Sequence, residues 1–306
     1  MPLAHPPALK SASGSSVKNL SALKGQQAFR GSAVKTARCH SDAPSRPNRP
    51  LFRPGMAHPQ CSSGGFAANA KKAPDTRRVL SRKDAREVYD KHGVKDQVRD
   101  SESVYGGPAT EALLAATDFS NARRVFEFGH GSGRLAARLL RQYLPADCSY
   151  VGVDQSEVMH GLASQRLAPF SDRVELLLVS DGEPSTCAPH IPDGSVDVFV
   201  STYVLDLLSD EDTAKVLDLA ARLLKPEGQL ALTGLTFGSR VGLLLSVATW
   251  VWELVHWVAP RTVGGCRAQN LTEYLGPCWE LRSINLVSGG LITSEVLVCR
   301  KKIPGD

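Results

Sequence analysis

The residues with the clearest capacity for chemistry lie in one stretch, Arg124-Val-Phe-Glu-Phe-Gly-His-Gly-Ser-Gly-Arg134. Glycine stands at alternate positions, Gly129, Gly131 and Gly133. Glycine accepts positive φ and lets a ligand come against bare backbone. The apolar run Val125–Phe128 before it reads as a buried strand, and Leu135, Leu139 and Leu140 after it fall at helical spacing. The order is therefore strand, glycine turn, helix. A helix start offers free N–H groups and the positive end of its dipole, so the stretch predicts the first turn of a nucleotide-binding α/β sheet.

The spacing decides between nucleotides. A dinucleotide fingerprint places its third glycine five positions after the first. Here Arg134 holds that position, and the third glycine comes one residue early. Glu127 stands two residues before the first glycine. This pattern, Glu-x-Gly-x-Gly-x-Gly, resembles the first motif of class I S-adenosylmethionine (SAM) methyltransferases. Three further landmarks follow in order. Ser149-Tyr-Val-Gly-Val-Asp154 is a second apolar strand ending in an acid. Ile191-Pro-Asp-Gly-Ser-Val-Asp-Val-Phe-Val200 is similar to the family's run into strand four. Leu224-Lys-Pro-Glu-Gly228 is similar to its Leu-Lys-Pro-Gly-Gly turn, with Glu227 where the family has glycine.

The resemblance covers roughly Val125 to Phe237. It implies a doubly wound, mostly parallel seven-stranded α/β sheet with a C-terminal antiparallel hairpin, here Trp279–Val287 and Ile292–Arg300. It implies SAM as cofactor, bound by Glu127, Gly129, Gly131, Gly133 and Asp154. A carboxylate such as Asp154 suits a ribose diol because it accepts two hydrogen bonds at once. Asp181, after the third strand, is the expected contact to the adenine amino group. Ser201, at the end of strand four, faces the expected ligand edge. A nicotinamide dehydrogenase also predicts Asp154, but neither the glycine spacing nor the Lys-Pro turn.

The elements that must position these groups come next. Residues 1–74 hold eleven Lys or Arg and one acid, Asp42, whereas the remainder holds 25 basic and 30 acidic residues. The basic balance thus belongs to the leader and gives no reason to expect nucleic acid. The leader is Ser-rich, acid-poor and lacks a long apolar run, which predicts an organelle transit peptide, chloroplast in preference to mitochondrion, ahead of a domain at 75–306. Residues 79–120 read as helical pieces; the resemblance implies that they cover the cofactor, which makes Tyr89 and Tyr105 candidate contacts, or else packing residues. Ser209 predicts a helix cap.

Residues 238–277 form an insertion. Within it, 241–259 is very apolar and contains Trp250, Trp252 and Trp257. Its polar and small residues, Gly242, Ser246, Thr249, Glu253 and His256, advance by four and three and so share one helical stripe. Three readings stay open: a packing helix with the stripe in solvent, a lid over a lipophilic substrate or a membrane surface with the stripe toward the active site, and a transmembrane helix. The spacing of Glu253 and His256 allows their side chains to meet, making them candidate proton-accepting groups with Tyr105. Arg261-Thr-Val-Gly-Gly-Cys-Arg267 is either an anion site or a charged turn.

The cysteines are scattered, with no Cys-x-x-Cys pair, so no metal site is expected. The family's Asn-Pro-Pro-aromatic tetrapeptide is replaced by Ser201-Thr-Tyr-Val, which argues against methylation of DNA or protein amides. The expectation is a methyltransferase acting on a small organellar metabolite, with peripheral membrane contact through 241–259. The alternative is a non-catalytic SAM-binding or scaffold protein of the same fold.

Overall fold

Five apolar stretches become the parallel part of one sheet. The computed structural model describes residues 77–96, 106–236, 243–289 and 292–303. The leader, Tyr105, and the stripe residue Gly242 lie outside the described residues. The parallel strands are β1 (Arg124–Phe128), β2 (Ser149–Asp154), β3 (Val174–Leu178), β4 (Val196–Thr202) and β5 (Leu224–Leu235). The antiparallel hairpin β6 (Trp279–Gly289) and β7 (Ile292–Lys301) completes the order β3-β2-β1-β4-β5-β7-β6. The sheet is therefore mixed. Its winding reverses between β1 and β4, the point where open α/β sheets leave a crevice at their carboxyl ends.

Helices cover both faces. They are α1 (Arg82–Asp96), α2 (Gly106–Ala116), α3 (Arg134–Gln142), α4 (Glu157–Leu167), α5 (Asp210–Leu223) and α6 (Leu243–Val258). Alternation along the strands feeds two cores. Val125, Tyr150, Val198 and Ala231 pack with α2 and α3. Phe126, Val151, Phe199 and Leu230 pack with α5, and the rings of Phe126 and Phe199 stack at 5.2 Å. Ser156 and Ser209 cap α4 and α5 by accepting from Met159 N and Asp212 N, which satisfies one orphan N–H of each helix.

Two features differ from the sequence reading. The first is β5, which starts at Leu224 and so takes in the whole Lys-Pro-Glu-Gly turn. The second is α6. The side chains of Ser246 and Thr249 are outside the described set, but Glu253 and His256 turn into the protein, and the apolar face points out. The packing-helix reading, with its stripe in solvent, is thereby reversed. No helix among the described residues is long and apolar enough to cross a membrane.

The reason for the reversal is the backbone at 264–269, which is irregular and needs partners. Glu253 Oε1 accepts from Ala268 N at 2.7 Å, and Trp252 Nε1 donates to Cys266 O at 2.9 Å. Arg77 donates to Ala268 O at 2.8 Å and to Glu253 Oε2 at 2.7 Å. On its other side the segment is tied to the turn after β4, through Arg267 N to Asp206 O at 3.1 Å, and to the end of β5, through Gln269 N to Leu235 O at 2.8 Å. The stripe faces inward because those polar groups are inside.

Glu227 sits at φ 63, a left-handed conformation that side chains resist, and is exposed, with Arg300 at 3.5 Å. Glu227→Gly is expected to stabilise the domain by about 0.5–1 kcal/mol, because relief of that strain exceeds the entropy glycine adds to the unfolded chain. Thermal denaturation of the two proteins checks this; a lower melting temperature in the variant contradicts it.

Candidate functional site

After Phe128 the chain turns through Gly129 at φ 79, Gly131 at φ 51 and Gly133 at φ 74. Gly129 N and His130 N both donate to Val153 O, at 2.9 and 3.1 Å, which binds the turn to the end of β2. Gly131 N donates to Asp154 Oδ2 at 2.8 Å, and Ser156 N donates to Asp154 Oδ1 at 2.9 Å. Asp154 is only partly buried. Each of its oxygens keeps a further lone pair, so the carboxylate can still accept hydroxyl donors from a ligand.

The three glycines differ in what surrounds them. A Cβ on Gly129 would run into the Val204 side chain, and one on Gly133 would lie 3.0 Å from Ala163 Cβ. A Cβ on Gly131 would meet no atom within 4 Å. Gly129 and Gly133 are thus fixed by packing inside the protein. Gly131 presents bare backbone to open space beside the Asp154 carboxylate, which is the surface a nucleoside ligand requires. The residues present therefore fit SAM.

Beneath the turn lies a buried polar layer. Glu127, 1% exposed, accepts from Tyr150 Oη at 2.6 Å. Burial pushes its carboxyl up to about 7, with the Tyr150 hydrogen bond opposing and the Asp154 charge adding to the rise. Glu127 therefore supports the turn from below. Ser201 is fully buried, and its hydroxyl donates to Phe128 O at 2.9 Å. It ties β4 to the end of β1, a correction to its expected place facing the ligand. Gly152 is glycine because a Cβ there would sit 2.9 Å from the Tyr150 hydroxyl and 3.1 Å from the His130 ring.

His130 has no role in the sequence reading beyond its place between two glycines. In the structure it is buried, its Nδ1 donates to Gly131 O at 2.7 Å, and its Nε2 has no partner among the described residues. Burial pushes its pKa down. Its ring lies 5.8 Å from that of His160. It stiffens the turn as a neutral donor.

Above the carboxyl ends of β2 and β3 lies α1, as the sequence led one to expect of the N-terminal segment. Ser156 Oγ donates to Asp90, Arg86 donates to Ser180 O at 3.2 Å, and Arg82 bridges Glu183 and Asp212 at 2.8 and 2.6 Å. Tyr89 packs with Leu80, Ala85 and Val88 and meets Cys266 Sγ at 3.8 Å, which makes it a packing residue. Asp181 is exposed, accepts from Glu183 N at 3.1 Å, and lines an open trough of about 590 Å³ beside β3. The other lining residues come from β3 and the 186–190 loop, none from the glycine turn.

The expected Glu253–His256 pair is not formed. Both Glu253 oxygens are engaged, one by Arg77 and one by Ala268 N. His256 is 1% exposed and its Nε2 has no partner among the described residues. Burial pushes its pKa down, the Glu253 charge opposes, and the other groups acting on it are Arg77, Arg267 and the Gly265 backbone. None belongs to the glycine turn. The anion-site reading of 261–267 also fails: Arg261 pairs with Asp84 and Glu87 on α1, and Arg267 is fully buried with a bond to Leu208 O. Asp206, missed in the sequence, is buried near Arg267, and burial pushes its carboxyl up to about 7.

Two expectations follow. Gly131→Ala should cost only about 1 kcal/mol of stability, the strain of positive φ, yet weaken SAM binding at least about tenfold. Gly129→Ala should instead unfold the turn against Val204. Calorimetry with SAM and thermal melts separate the two; equal SAM affinity in a folded Gly131→Ala protein removes Gly131 from the site.

The second expectation concerns pH. The Glu127 carboxyl ionises near 4.5 unfolded and near 7 folded. Its contribution is therefore fully present below about pH 4.5 and lost as pH rises through about 7. The stability of wild type relative to Glu127→Gln should fall by about 1–3 kcal/mol between pH 4.5 and 8. Urea denaturation across that range measures it, and a flat difference shows that Glu127 is not desolvated.

Comparison with known proteins agrees with this geometry. Residues 125–228 match a methyltransferase domain family. An arsenite methyltransferase of Aquipseudomonas alcaligenes is 34% identical over 120 residues, covering 38% of this chain and 34% of that protein. An uncharacterized methyltransferase of Exiguobacterium sibiricum is 30% identical over 155 residues, covering 50% of this chain and 61% of that one. The matched stretch thus spans less than two thirds of either relative. The [4+2]-cyclase SpnF has the same fold, with a TM-score of 0.54 at 17% identity, covering 76% of this chain and 100% of that one. In its strand order, its glycine turn and its match over residues 125–228, the chain is similar to class I SAM-dependent methyltransferases.

Proposed function

We propose that the protein binds SAM at the glycine turn and transfers its methyl group to a small lipophilic acceptor inside an organelle, the chloroplast in preference to the mitochondrion. The observation that carries the cofactor reading is the open backbone of Gly131 beside Asp154. Bound SAM supplies an electrophilic sulfonium methyl, so the acceptor needs alignment more than activation. On this reading Asp154 and the turn hold the nucleoside, while α1 and the 264–269 segment exclude water from the carboxyl edge of the sheet. The lipophilic character of the acceptor is supported by the apolar, Trp-bearing α6, which rests on that same segment. The plastid is supported by the Ser-rich, acid-poor composition of residues 1–74.

The test is incubation of the full chain with methyl-labelled SAM and organelle extracts of lipids, quinones and pigments. Label is expected in an organic-phase product. Tight SAM binding with no transfer across the panel overturns the catalytic reading in favour of a non-catalytic SAM-binding protein, and absence of SAM binding overturns both. Asp154→Ala should weaken SAM affinity by about 1–3 kcal/mol, since a ribose hydroxyl pair loses its acceptor. Unchanged affinity by calorimetry in a folded variant takes Asp154 out of the cofactor site.

A further inference from the structure

The outward face of α6 is the largest anomaly on the described surface. Val247, Trp250, Val251, Leu254, Trp257 and Val258 are all exposed, with Trp250 at 65% and Trp257 at 73%. Their spacing of three and four puts them on one side of a helix. No charged residue interrupts that side, because Glu253 and His256 point the other way. Contiguous exposed apolar faces mark sites of interaction.

We infer that this face docks on the surface of a lipid bilayer, with the helix lying in the interface plane. Two observations choose this occupant over a second copy or a protein partner. The first is residue type. Trp250 and Trp257 stand two turns apart on one line, and indole favours the water–lipid boundary. Trp252, by contrast, is held inward by its bond to Cys266 O. The second is charge. Arg261, which follows the helix, pairs with Asp84 and Glu87, so among the described residues the face carries no charge pattern with which to select a protein. The helix is too short to span, and an interfacial helix has no need to.

The assignment does not depend on methyl transfer. It places the domain at a membrane with α6 against the acyl boundary and the 264–269 segment on the opposite side of the helix. Because the driving force is apolar burial, binding is expected on zwitterionic lipid and is nearly insensitive to salt. Binding through the basic leader would have the opposite signature, requiring anionic lipid and weakening with salt.

The experiment is flotation of the full chain with phosphatidylcholine vesicles, with and without phosphatidylglycerol, at low and high salt. The chain is expected to float with phosphatidylcholine alone, with a blue shift of tryptophan emission. The double variant Trp250→Ser, Trp257→Ser should lose at least about tenfold in partitioning, since two large apolar groups are removed. Val251→Asp, which leaves both tryptophans in place, should lose a similar amount. All substituted side chains are exposed, so circular dichroism and SAM affinity should match wild type. Failure to float, flotation only with anionic lipid, or equal flotation of the variants overturns the inference. So does sedimentation showing a dimer that the variants abolish, which would make the occupant a second copy. Loss of SAM binding by wild type would sink the functional reading and leave this surface untouched.

Discussion

The hydrogen bond from Gly131 N to Asp154 holds the functional edge together. It fixes a left-handed residue whose open side must stay open, and it does so with a carboxylate that also receives Ser156 N. Ser156 in turn caps α4 by accepting from Met159 N and donates its hydroxyl to Asp90 on α1. One short chain of bonds therefore runs from the turn to the first residues of a helix and on to the roof above them. The Asp154 carboxylate thus holds Gly131 N and Ser156 N in addition to offering lone pairs to a ligand. The buried layer beneath has the complementary task. Glu127 and Tyr150 bond to each other, and His130 Nδ1 and the Ser201 hydroxyl bond to backbone, so the turn rests on a braced floor.

The roof is held mostly by charge. Arg82 reaches Glu183 and Asp212, from two elements distant in sequence, and Arg77 reaches Glu253 on α6. These ion pairs are part-buried, which exempts them from the full screening that makes exposed pairs nearly neutral in stability. The Arg77 pair joins the segment before α1 to the insertion after β5, and the Arg82 pairs join α1 to the stretch after β3 and to α5. The irregular backbone at 264–269 is the common anchor. It hydrogen-bonds to the turn after β4 through Asp206 O, to the end of β5 through Leu235 O, and to α6 through Glu253 and Trp252.

Most of the sheet was legible because its signals are local. Apolar runs of five to seven residues between turn residues gave β1, β2 and β4, and Ser209 three residues before Asp212 gave a cap that formed as written. The glycine turn and Asp154 were legible for the same reason: positive φ and a strand-ending carboxylate leave a mark in residue type. What was not legible depends on partners far away. The spacing of Glu253 and His256 puts them on one face, but Arg77 and Ala268, remote in sequence, take the carboxylate. Ser201 reads equally well as a ligand contact or a strut until Phe128 O is seen beside it. Arg267, a charged residue fully buried, carries no sequence signal at all.

The orientation of α6 was illegible for a deeper reason. Periodicity separates two faces of a helix without saying which one is inside, and hydrophobic burial alone gives the wrong answer here. Turning the apolar face inward would take Trp250, Trp257 and their apolar neighbours out of water, which is favourable. It would also strip Ala268 N, Cys266 O and Arg77 of their α6 partners, at about 1–3 kcal/mol for each buried group left unpaired. The apolar term and the polar bonds thus oppose each other, and in the structure the polar bonds decide the orientation. A surrounding that takes up the apolar face removes the opposing term and leaves those bonds unopposed. The contacts that make α6 appear inside out are thus the same contacts that keep Trp250 and Trp257 available at the surface.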